Sequence, residues 1–344
     1  MNHSSTIPNS ENTLENVVLR PAGLKEYVTI ARPDHWFKNI FMLPGMLFAF
    51  LVYNTPLSFS FFFNLVAGVV ATCLIASANY VINEYLDAEF DRFHPLKKNR
   101  SAVQTVLNPV YVGIQWFVLA GVGLTISYFI NMPFLALEAF LLFMGIMYNV
   151  RPFRTKERVY LDVLSESVNN PIRLALGWFI FVPAALLPQS FSDPSWMIIP
   201  PSSIILAYWM GGAFLMATKR FAEYRFINNP EQAGLYRRSF KYYTENSLLI
   251  SMFFYALTSA FFLGIFLIKH RIELIISFPF FALLFAWYLQ IGLRKDSVVQ
   301  GPEKLHREKK FMAYVIAFVV LLMALIYIDI PALTWFLKQS FQYN

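Results

Sequence analysis

The sequence predicts an all-α, polytopic membrane protein with about nine transmembrane helices. Of its 344 residues, 57% are hydrophobic and only 14% are charged, whereas a soluble protein usually carries about 25% charged residues. Long apolar stretches recur along the whole chain, and about 20 apolar residues let a helix cross the hydrocarbon core of a bilayer. We therefore expect the chain to lie in a lipid bilayer rather than in water.

Nine apolar stretches are separated by polar loops, and each is predicted to be one transmembrane helix. They lie at residues 40–55, 60–82, 107–129, 132–149, 168–188, 197–217, 247–268, 273–292 and 311–328. The third and fourth are separated only by Asn131-Met132-Pro133, which predicts a helical hairpin. Residues 1–24 are polar and are predicted to form a disordered tail before a single membrane domain at 25–338. The one cysteine, Cys73, excludes an internal disulfide framework.

Charge asymmetry between alternate loops predicts the orientation of the bundle. If the amino terminus is internal, 24 of the 28 Lys and Arg residues fall on one side, before the first span and at 83–106, 150–167, 218–246 and 293–310. Because Lys and Arg are retained in cytoplasmic loops, we expect this side to be cytoplasmic, in a bacterial inner membrane. The same placement explains the net charge of +7 without nucleic-acid binding.

An oxygen-rich helical face follows directly on the second span. Asn83, Asp87 and Asp91 recur at intervals of four, so they line one face of a helix. Magnesium prefers such oxygen ligands and typically bridges one or two carboxylates to substrate phosphates. A solvated acidic helix end would show the same spacing. The cationic run from Arg92 to Arg100 favours a magnesium-diphosphate site instead, because Arg and Lys both bind phosphate.

A second polar segment joins the fourth and fifth spans. After Tyr148, its basic loop contains Arg151, Arg154, Lys156 and Arg158, and Asp162, Glu166 and Asn170 then recur at intervals of four. This spacing predicts a second oxygen-rich helical face at the start of the fifth span. The two faces are predicted to enclose a metal-diphosphate unit between them.

Arg173 lies inside the apolar fifth span. A charged side chain at the centre of a membrane helix costs about 2.5–3.5 kcal/mol on the insertion scale. We therefore predict that it pairs with Glu166 or a bound phosphate, in preference to snorkelling toward the interface.

Charged residues also close the sixth span. Lys219 and Glu223 are four residues apart, with Arg220 beside Lys219. This pattern predicts either a charged helix end that closes over a site or positive charge retained by topology alone.

The order of these motifs resembles the UbiA superfamily of intramembrane prenyltransferases, over roughly residues 28–330. The run Arg32-Pro33-Asp34-His35-Trp36-Phe37-Lys38-Asn39 is similar to the opening motif of that family, and Asn83, Asp87 and Asp91 match its first Asp-rich motif. The runs His94-Pro95-Leu96-Lys97 and Thr218-Lys219-Arg220-Phe221-Ala222-Glu223 are most similar to its polyprenyl-phosphate phosphoribosyltransferase branch. Two departures are Glu84 and Glu166, which stand where the family often has Asp.

The resemblance implies a UbiA-type bundle with a cytoplasm-facing cavity and a reaction that depends on Mg²⁺. It implies that Asn83, Asp87 and Asp91 bind the metal and that Asp87, Asp91 and Asp162 are catalytic. The candidate substrate-binding residues are Lys38, Lys97, Arg100, Tyr148, Arg151, Arg154, Lys156, Glu166, Asn170, Arg173, Lys219 and Arg220.

Three functions are compatible with this pattern. The first is transfer of phosphoribose from phosphoribosyl diphosphate to a polyprenyl phosphate, with release of diphosphate. The second is transfer of an isoprenoid chain from a polyprenyl diphosphate to an aromatic or other acceptor. The third is membrane transport, because many spans and buried charges also suit a substrate path. The gathering of polar clusters at one face favours an enzyme.

Overall fold

The helices of the protein follow the apolar stretches of its sequence. The structure is a computed structural model that describes residues 20–54, 56, 58–187 and 198–336. Its α-helices, in chain order, are α1 Leu24–Ile30, α2 Leu43–Tyr53, α3 Phe59–Asp91, α4 Ser101–Gln104, α5 Pro109–Ile130, α6 Met132–Asn149, α7 Leu161–Ser167, α8 Asn169–Phe181, α9 Ser202–Ile227, α10 Pro230–Tyr236, α11 Glu245–His270, α12 Phe278–Gly292, α13 Lys309–Tyr327 and α14 Pro331–Phe336.

Short elements connect these helices. Two-residue strands β1 (Arg20–Pro21) and β2 (Thr105–Val106) pair in parallel. The 3₁₀ segments are Pro33–Met42, Lys97–Asn99, Thr155–Glu157, Ala184–Leu186, Arg238–Lys241, Ile272–Ser277, Val298–Gln300 and Pro302–Arg307. Residues 20–24, predicted as the end of a disordered tail, are thus part of the folded structure. Residues 1–19 of the predicted tail lie outside the described residues, as do residues 55, 57, 188–197 and 337–338 of the predicted domain.

The predicted count of nine membrane spans is not confirmed. Within the described residues, seven helical stretches are long and apolar enough to cross a membrane: Leu24–Tyr53, Phe59–Asp91, Pro109–Ile130, Met132–Asn149, Glu245–His270, Ile272–Gly292 and Lys309–Tyr327. The predicted fifth and sixth spans correspond to α8 and α9. The thirteen residues of α8 rise only about 20 Å. Helix α9 is long enough to cross a membrane, but its sequence is less apolar than those of the seven stretches.

Capping residues set the predicted helical hairpin. Asn131 is the only residue between α5 and α6, and its side chain accepts a hydrogen bond from the Phe134 amide at 2.8 Å. Its own amide donates to the Ser127 carbonyl at 3.3 Å, so one residue ends α5 and begins α6. The side-chain amide of Asn131 also donates to the Phe179 carbonyl at 3.0 Å. The predicted hairpin is therefore confirmed, and this last hydrogen bond joins it to α8.

Close backbone contacts place α8 at the centre of the bundle. A Cβ atom on Gly177 would overlap the Met42 carbonyl, and one on Gly45 would overlap the Leu174 carbonyl. Glycine at both positions lets α8 lie directly against α2, as small residues do between membrane helices. Helix α8 also contacts α6 and α9, and eleven of its thirteen residues are buried.

Helix α3 carries the first motif out of the apolar region. Its 33 residues extend about 50 Å, whereas the hydrocarbon core is about 30 Å thick. Ser58 caps its amino terminus by accepting a hydrogen bond from the Phe61 amide at 3.2 Å. The helix continues without a break to Asp91. The predicted face formed by Asn83, Asp87 and Asp91 therefore lies on one rigid helix end.

Candidate active site

A charged cleft lies at the end of α3. It is lined by Asp87, Phe90, Asp91, Arg154, Lys156, Glu157, Tyr236, Arg237 and Arg238, and we call it the first-motif cleft. Four cationic side chains and three carboxylates thus face one another in a single cavity. The predicted residues Asp87, Asp91, Arg154 and Lys156 are brought together here.

Asp87 is the centre of this cleft. Its Oδ1 accepts a hydrogen bond from the Lys156 ammonium and another, at 3.1 Å, from Nη2 of Arg154. The Asn83 side-chain amide donates to Oδ2 at 3.2 Å. Asn149 contacts two of these partners of Asp87, because its Oδ1 accepts a hydrogen bond from Lys156 at 2.8 Å and another from Asn83 at 2.7 Å. Burial lowers the pKa of Lys156 to about 8, although Asp87 opposes this shift.

Asp91 belongs to a separate ion-pair chain. Its Oδ2 accepts from Arg100 at 2.8 Å, and Arg100 also lies 3.0 Å from Glu84. Arg32 then contacts the same Glu84 oxygen at 2.8 Å. Arg100, a predicted substrate-binding residue, is therefore paired with Asp91 and Glu84. Glu84 in turn links the opening motif to the loop after α3.

The second motif does not form the predicted continuous face. The helix is divided at Val168, between α7 and α8, because Pro171 cannot donate a backbone hydrogen bond to Ser167. Asp162 is fully buried, and its oxygens accept from Tyr243 at 2.7 Å and Ser239 at 3.1 Å. Burial raises the pKa of Asp162. Asp162 lies outside the lining of the first-motif cleft, so its catalytic role stays a prediction.

Arg237 joins the two motifs. It lines the first-motif cleft beside Asp87, and its Nη1 lies 3.3 Å from the Tyr148 hydroxyl and 3.8 Å from Oδ2 of Asp162. It was not among the predicted site residues, because a pair of arginines in a basic loop has the same pattern as charge retained by topology. Arg238, Tyr236, Phe90 and Glu157 were missed for a similar reason, since spacing alone does not indicate which loop residues fold over the motif.

A buried ion-pair network lies behind the cleft. Arg220, 1% exposed, contacts Glu166, donates to Glu223 at 3.0 Å and lies 3.5 Å from Asp162. Glu223, fully buried, also accepts from Lys97 at 2.8 Å. Its predicted pairing with Lys219 is not formed, so this helix end is a packed network rather than an open lid.

Glu166 is held as a carboxylate by the same network. Its Oε2 accepts from the Tyr148 hydroxyl at 2.8 Å and from Arg220. Burial alone would raise the pKa of Glu166, but Arg220, together with Lys219, Arg237 and Lys38, outweighs burial and the pKa falls to about 2. Arg220 and Lys97 are therefore paired with carboxylates of the protein, and we assign them the role of positioning those carboxylates.

The remaining predicted residues are distributed around these clusters. Arg173 does not pair with Glu166 as predicted, and its Nε instead donates to Oδ1 of Asn39 at 3.0 Å. Lys38 donates to the Tyr80 hydroxyl at 3.0 Å. Asn170 packs directly against Gly212 of α9. Arg151 is exposed and lies outside the first-motif cleft.

Comparisons with known proteins agree with this architecture. The UbiA prenyltransferase family model matches residues 41–306. A decaprenyl-phosphate phosphoribosyltransferase of Mycolicibacterium smegmatis is 27% identical over 234 residues, or 64% of this chain and 63% of that protein. The match thus spans under two thirds of that relative. A protein of the same name from Mycobacterium tuberculosis is 27% identical over 246 residues, covering 68% of this chain and 72% of the relative.

Solved structures show the same fold. A UbiA homolog from Archaeoglobus fulgidus bound to GPP and Mg²⁺ aligns with a TM-score of 0.62 and 18% identity, over 86% of this chain and 99% of that one. The same homolog bound to DMAPP and Mg²⁺ aligns with a TM-score of 0.58 over the same shares. The match to a prenyltransferase family, together with seven long apolar helical stretches in the described residues, favours a membrane enzyme over the transporter considered as an alternative. By the family match, this chain belongs to the UbiA prenyltransferase family.

Proposed function

We propose that this protein transfers phosphoribose from phosphoribosyl diphosphate to a polyprenyl phosphate and releases diphosphate. The proposed reaction takes place in the first-motif cleft, at the cytoplasmic face of a bacterial inner membrane. The orientation is supported by the 24 of 28 basic residues that fall on the side of the motifs.

The observation that carries the proposal is the composition of the cleft lining. Apart from Phe90 and Tyr236, every side chain that lines it is charged. Four cations suit a polyanionic diphosphate, and a lining with only two uncharged residues suits a hydrophilic sugar better than an isoprenoid chain. The names of the two mycobacterial relatives, each 27% identical to this chain, support the same substrates.

The donor set fits a magnesium ion. Within the described residues, no three His, Cys, Asp or Glu side chains form a preformed metal cluster. Magnesium needs none, because it usually binds through one or two carboxylates together with substrate phosphates. Asp87 and Asp91 would supply those carboxylates, with Asn83 beside them. When bound, the ion would neutralise charge on the departing diphosphate.

The residues of the cleft would activate the leaving group. Diphosphate departs with the electron pair of its bond to the anomeric carbon, so negative charge grows on it as that bond breaks. Lys156, Arg154 and Arg237 are already positioned around Asp87 and would stabilise this charge. Arg154 and Lys156 are 7% and 4% exposed, and a poorly solvated site would strengthen their attraction to this charge.

Prenyl transfer is the second candidate, favoured by the GPP and DMAPP found in structures of the same fold. The deciding experiment uses purified protein with Mg²⁺. One reaction receives labelled phosphoribosyl diphosphate and polyprenyl phosphate, and another receives polyprenyl diphosphate and an aromatic acid. We expect labelled lipid in the first reaction alone. Product in the second alone would replace our proposal with prenyl transfer.

A further inference from the structure

His94 is a buried histidine in the loop that follows α3, and the proposed reaction gives it no role. Only 2% of its surface is exposed. Its Nδ1 accepts a hydrogen bond from the Leu96 amide at 3.1 Å and another from the Lys97 amide at 3.2 Å. Backbone amides can only donate, so the lone pair of Nδ1 is engaged and the proton of the neutral ring lies on Nε2. The fold thus selects one tautomer of this histidine.

The opposite edge of the ring lies among aromatic side chains. Nε2 is buried and has no hydrogen-bond partner among the described residues. The ring meets Tyr236 edge to face, with centroids 4.7 Å apart, and stacks on Phe226 at 6.2 Å. Burial and the nearby Lys97 ammonium lower the pKa of His94 to about 3. At neutral pH, His94 is therefore an uncharged ring that has no free lone pair with which to act as a base.

The contacts of His94 fix both the main chain of Lys97 and the partner of its side chain. The His94 amide donates to the Asp91 carbonyl at 3.0 Å, which closes the turn that carries Lys97. From this turn the Lys97 ammonium reaches the Glu223 carboxylate at 2.8 Å and contacts the Tyr236 hydroxyl. One ring thus holds Lys97 through Nδ1 and Tyr236 through packing.

Tyr236 connects this turn to the first-motif cleft. It lines the cleft, and so does Arg237, which follows it at the end of α10. A second contact joins the same two segments, because the Gln232 side-chain amide of α10 donates to the Phe93 carbonyl at 2.8 Å. A shift of the His94 ring would therefore move the wall of the cleft that Tyr236 and Arg237 form.

We propose that His94 is a positioning residue for the donor diphosphate, because it holds Lys97 and Tyr236 in place beside the first-motif cleft as a neutral ring. This inference rests on the proposed function for the identity of the donor. A residue that sets the spacing of a binding site affects the substrate and the transition state equally. Its loss should therefore raise KM and leave kcat nearly unchanged.

Two substitutions separate the hydrogen bonds of His94 from the bulk of its ring. The side-chain oxygen of asparagine is two bonds from Cβ, as Nδ1 is, and asparagine often accepts a hydrogen bond from the backbone two residues on. The polar atoms of glutamine are three bonds from Cβ, as Nε2 is. Both variants remove the ring, but only His94→Asn keeps an acceptor for the Leu96 and Lys97 amides.

Binding measurements test the role of this acceptor. Calorimetry on the full-length protein in detergent with Mg²⁺ would measure the Kd of phosphoribosyl diphosphate and, separately, of diphosphate, which both candidate reactions release. We expect His94→Gln to raise both Kd values about tenfold, because hydrogen bonds are lost, and His94→Asn to raise them less than about threefold. His270→Gln replaces an exposed histidine at the end of α11 and should change neither. Equal Kd values in the two His94 variants would overturn the positioning role.

The tautomer is tested without any ligand. In ¹⁵N NMR spectra of histidine-labelled protein at neutral pH, the ring of His94 should show a bare Nδ1 and a protonated Nε2. Its signals are identified by their absence from the spectrum of His94→Asn. A proton on Nδ1 would contradict the hydrogen bonds to the Leu96 and Lys97 amides and overturn the proposal.

Steady-state kinetics separate positioning from a general loss of structure. In His94→Gln, KM for phosphoribosyl diphosphate should rise while kcat stays within about threefold of the wild type. A fall in kcat at unchanged KM would overturn the positioning role. Weaker diphosphate binding in His94→Gln, together with a wild type that does not bind phosphoribosyl diphosphate, would support positioning and overturn the proposed donor instead.

Discussion

Glu223 gives the sharpest test of how the charged end of the bundle is stabilised. The carboxylate is fully buried and contacts Lys97 at 2.8 Å and Arg220 at 3.0 Å. In Glu223→Gln, the amide oxygen can still accept a hydrogen bond from one of these cations, but the negative charge that compensates both is lost. Removing one partner of a buried ion pair costs about 3–5 kcal/mol, because a charge is left without compensation.

This cost converts into a measurable fall in Tm. At about 2 °C per kcal/mol for a chain of this size, we expect Glu223→Gln to melt roughly 6–10 °C below the wild type in detergent. Glu308→Gln is the matched control, since Glu308 also contacts an arginine, Arg294, at 2.8 Å but on the surface. An exposed pair contributes only about 0–1 kcal/mol.

A second variant separates charge from packing. Lys97→Gln combined with Glu223→Gln removes both members of the pair. The double variant should therefore lose less stability than the two single variants lose in sum. A Tm of Glu223→Gln within about 2 °C of the Glu308→Gln value would refute the reasoning, because it would mean that water or rearrangement compensates the buried cation.

The remaining predictions concern activity, packing and pH. Asp87→Asn should lower kcat of the proposed transfer about 100-fold or more and weaken Mg²⁺ activation; wild-type magnesium dependence in a steady-state assay would contradict its assignment. Gly45→Ala should destabilise the bundle by several kcal/mol through overlap with α8, whereas Gly113→Ala, which meets nothing within 4 Å, should not; equal melting temperatures would exclude the close contact. Because Arg220 and the neighbouring cations hold the pKa of Glu166 at about 2, the stability lost in Glu166→Gln should be fully present above about pH 4.5 and disappear as the pH falls toward 2. A pH-independent difference in Tm would contradict that ion pair.

The parts of the fold that the sequence predicted are those with a strong local signal. The spacing of Asn83, Asp87 and Asp91 placed three oxygen ligands on one helix face because nothing in that segment interrupts a helix. Asn131 and Pro133 predicted the hairpin because an asparagine side chain can cap the start of a helix and a proline is tolerated in its first turn. These inferences needed no information about distant residues.

Other features depended on contacts between distant segments. The pairing of Arg173 with Asn39 joins residues 134 positions apart, and no spacing rule connects them. The break at Val168 was missed because the spacing of Asp162, Glu166 and Asn170 predicts one helix that continues through it. Arg237 was missed because only the folded chain brings its loop over Asp87.

The shielding of α8 has a consequence for how the protein responds to its membrane. Bilayers differ in thickness, and exposed helices adjust to them by tilting or by local distortion of the lipid. Helix α8 has little surface left for lipid, since eleven of its thirteen residues are buried, and glycine contacts fix it against α2. Changes in lipid thickness would therefore be absorbed by outer helices such as α5 and α13, while the depth of Arg173 relative to Asn39 stays constant.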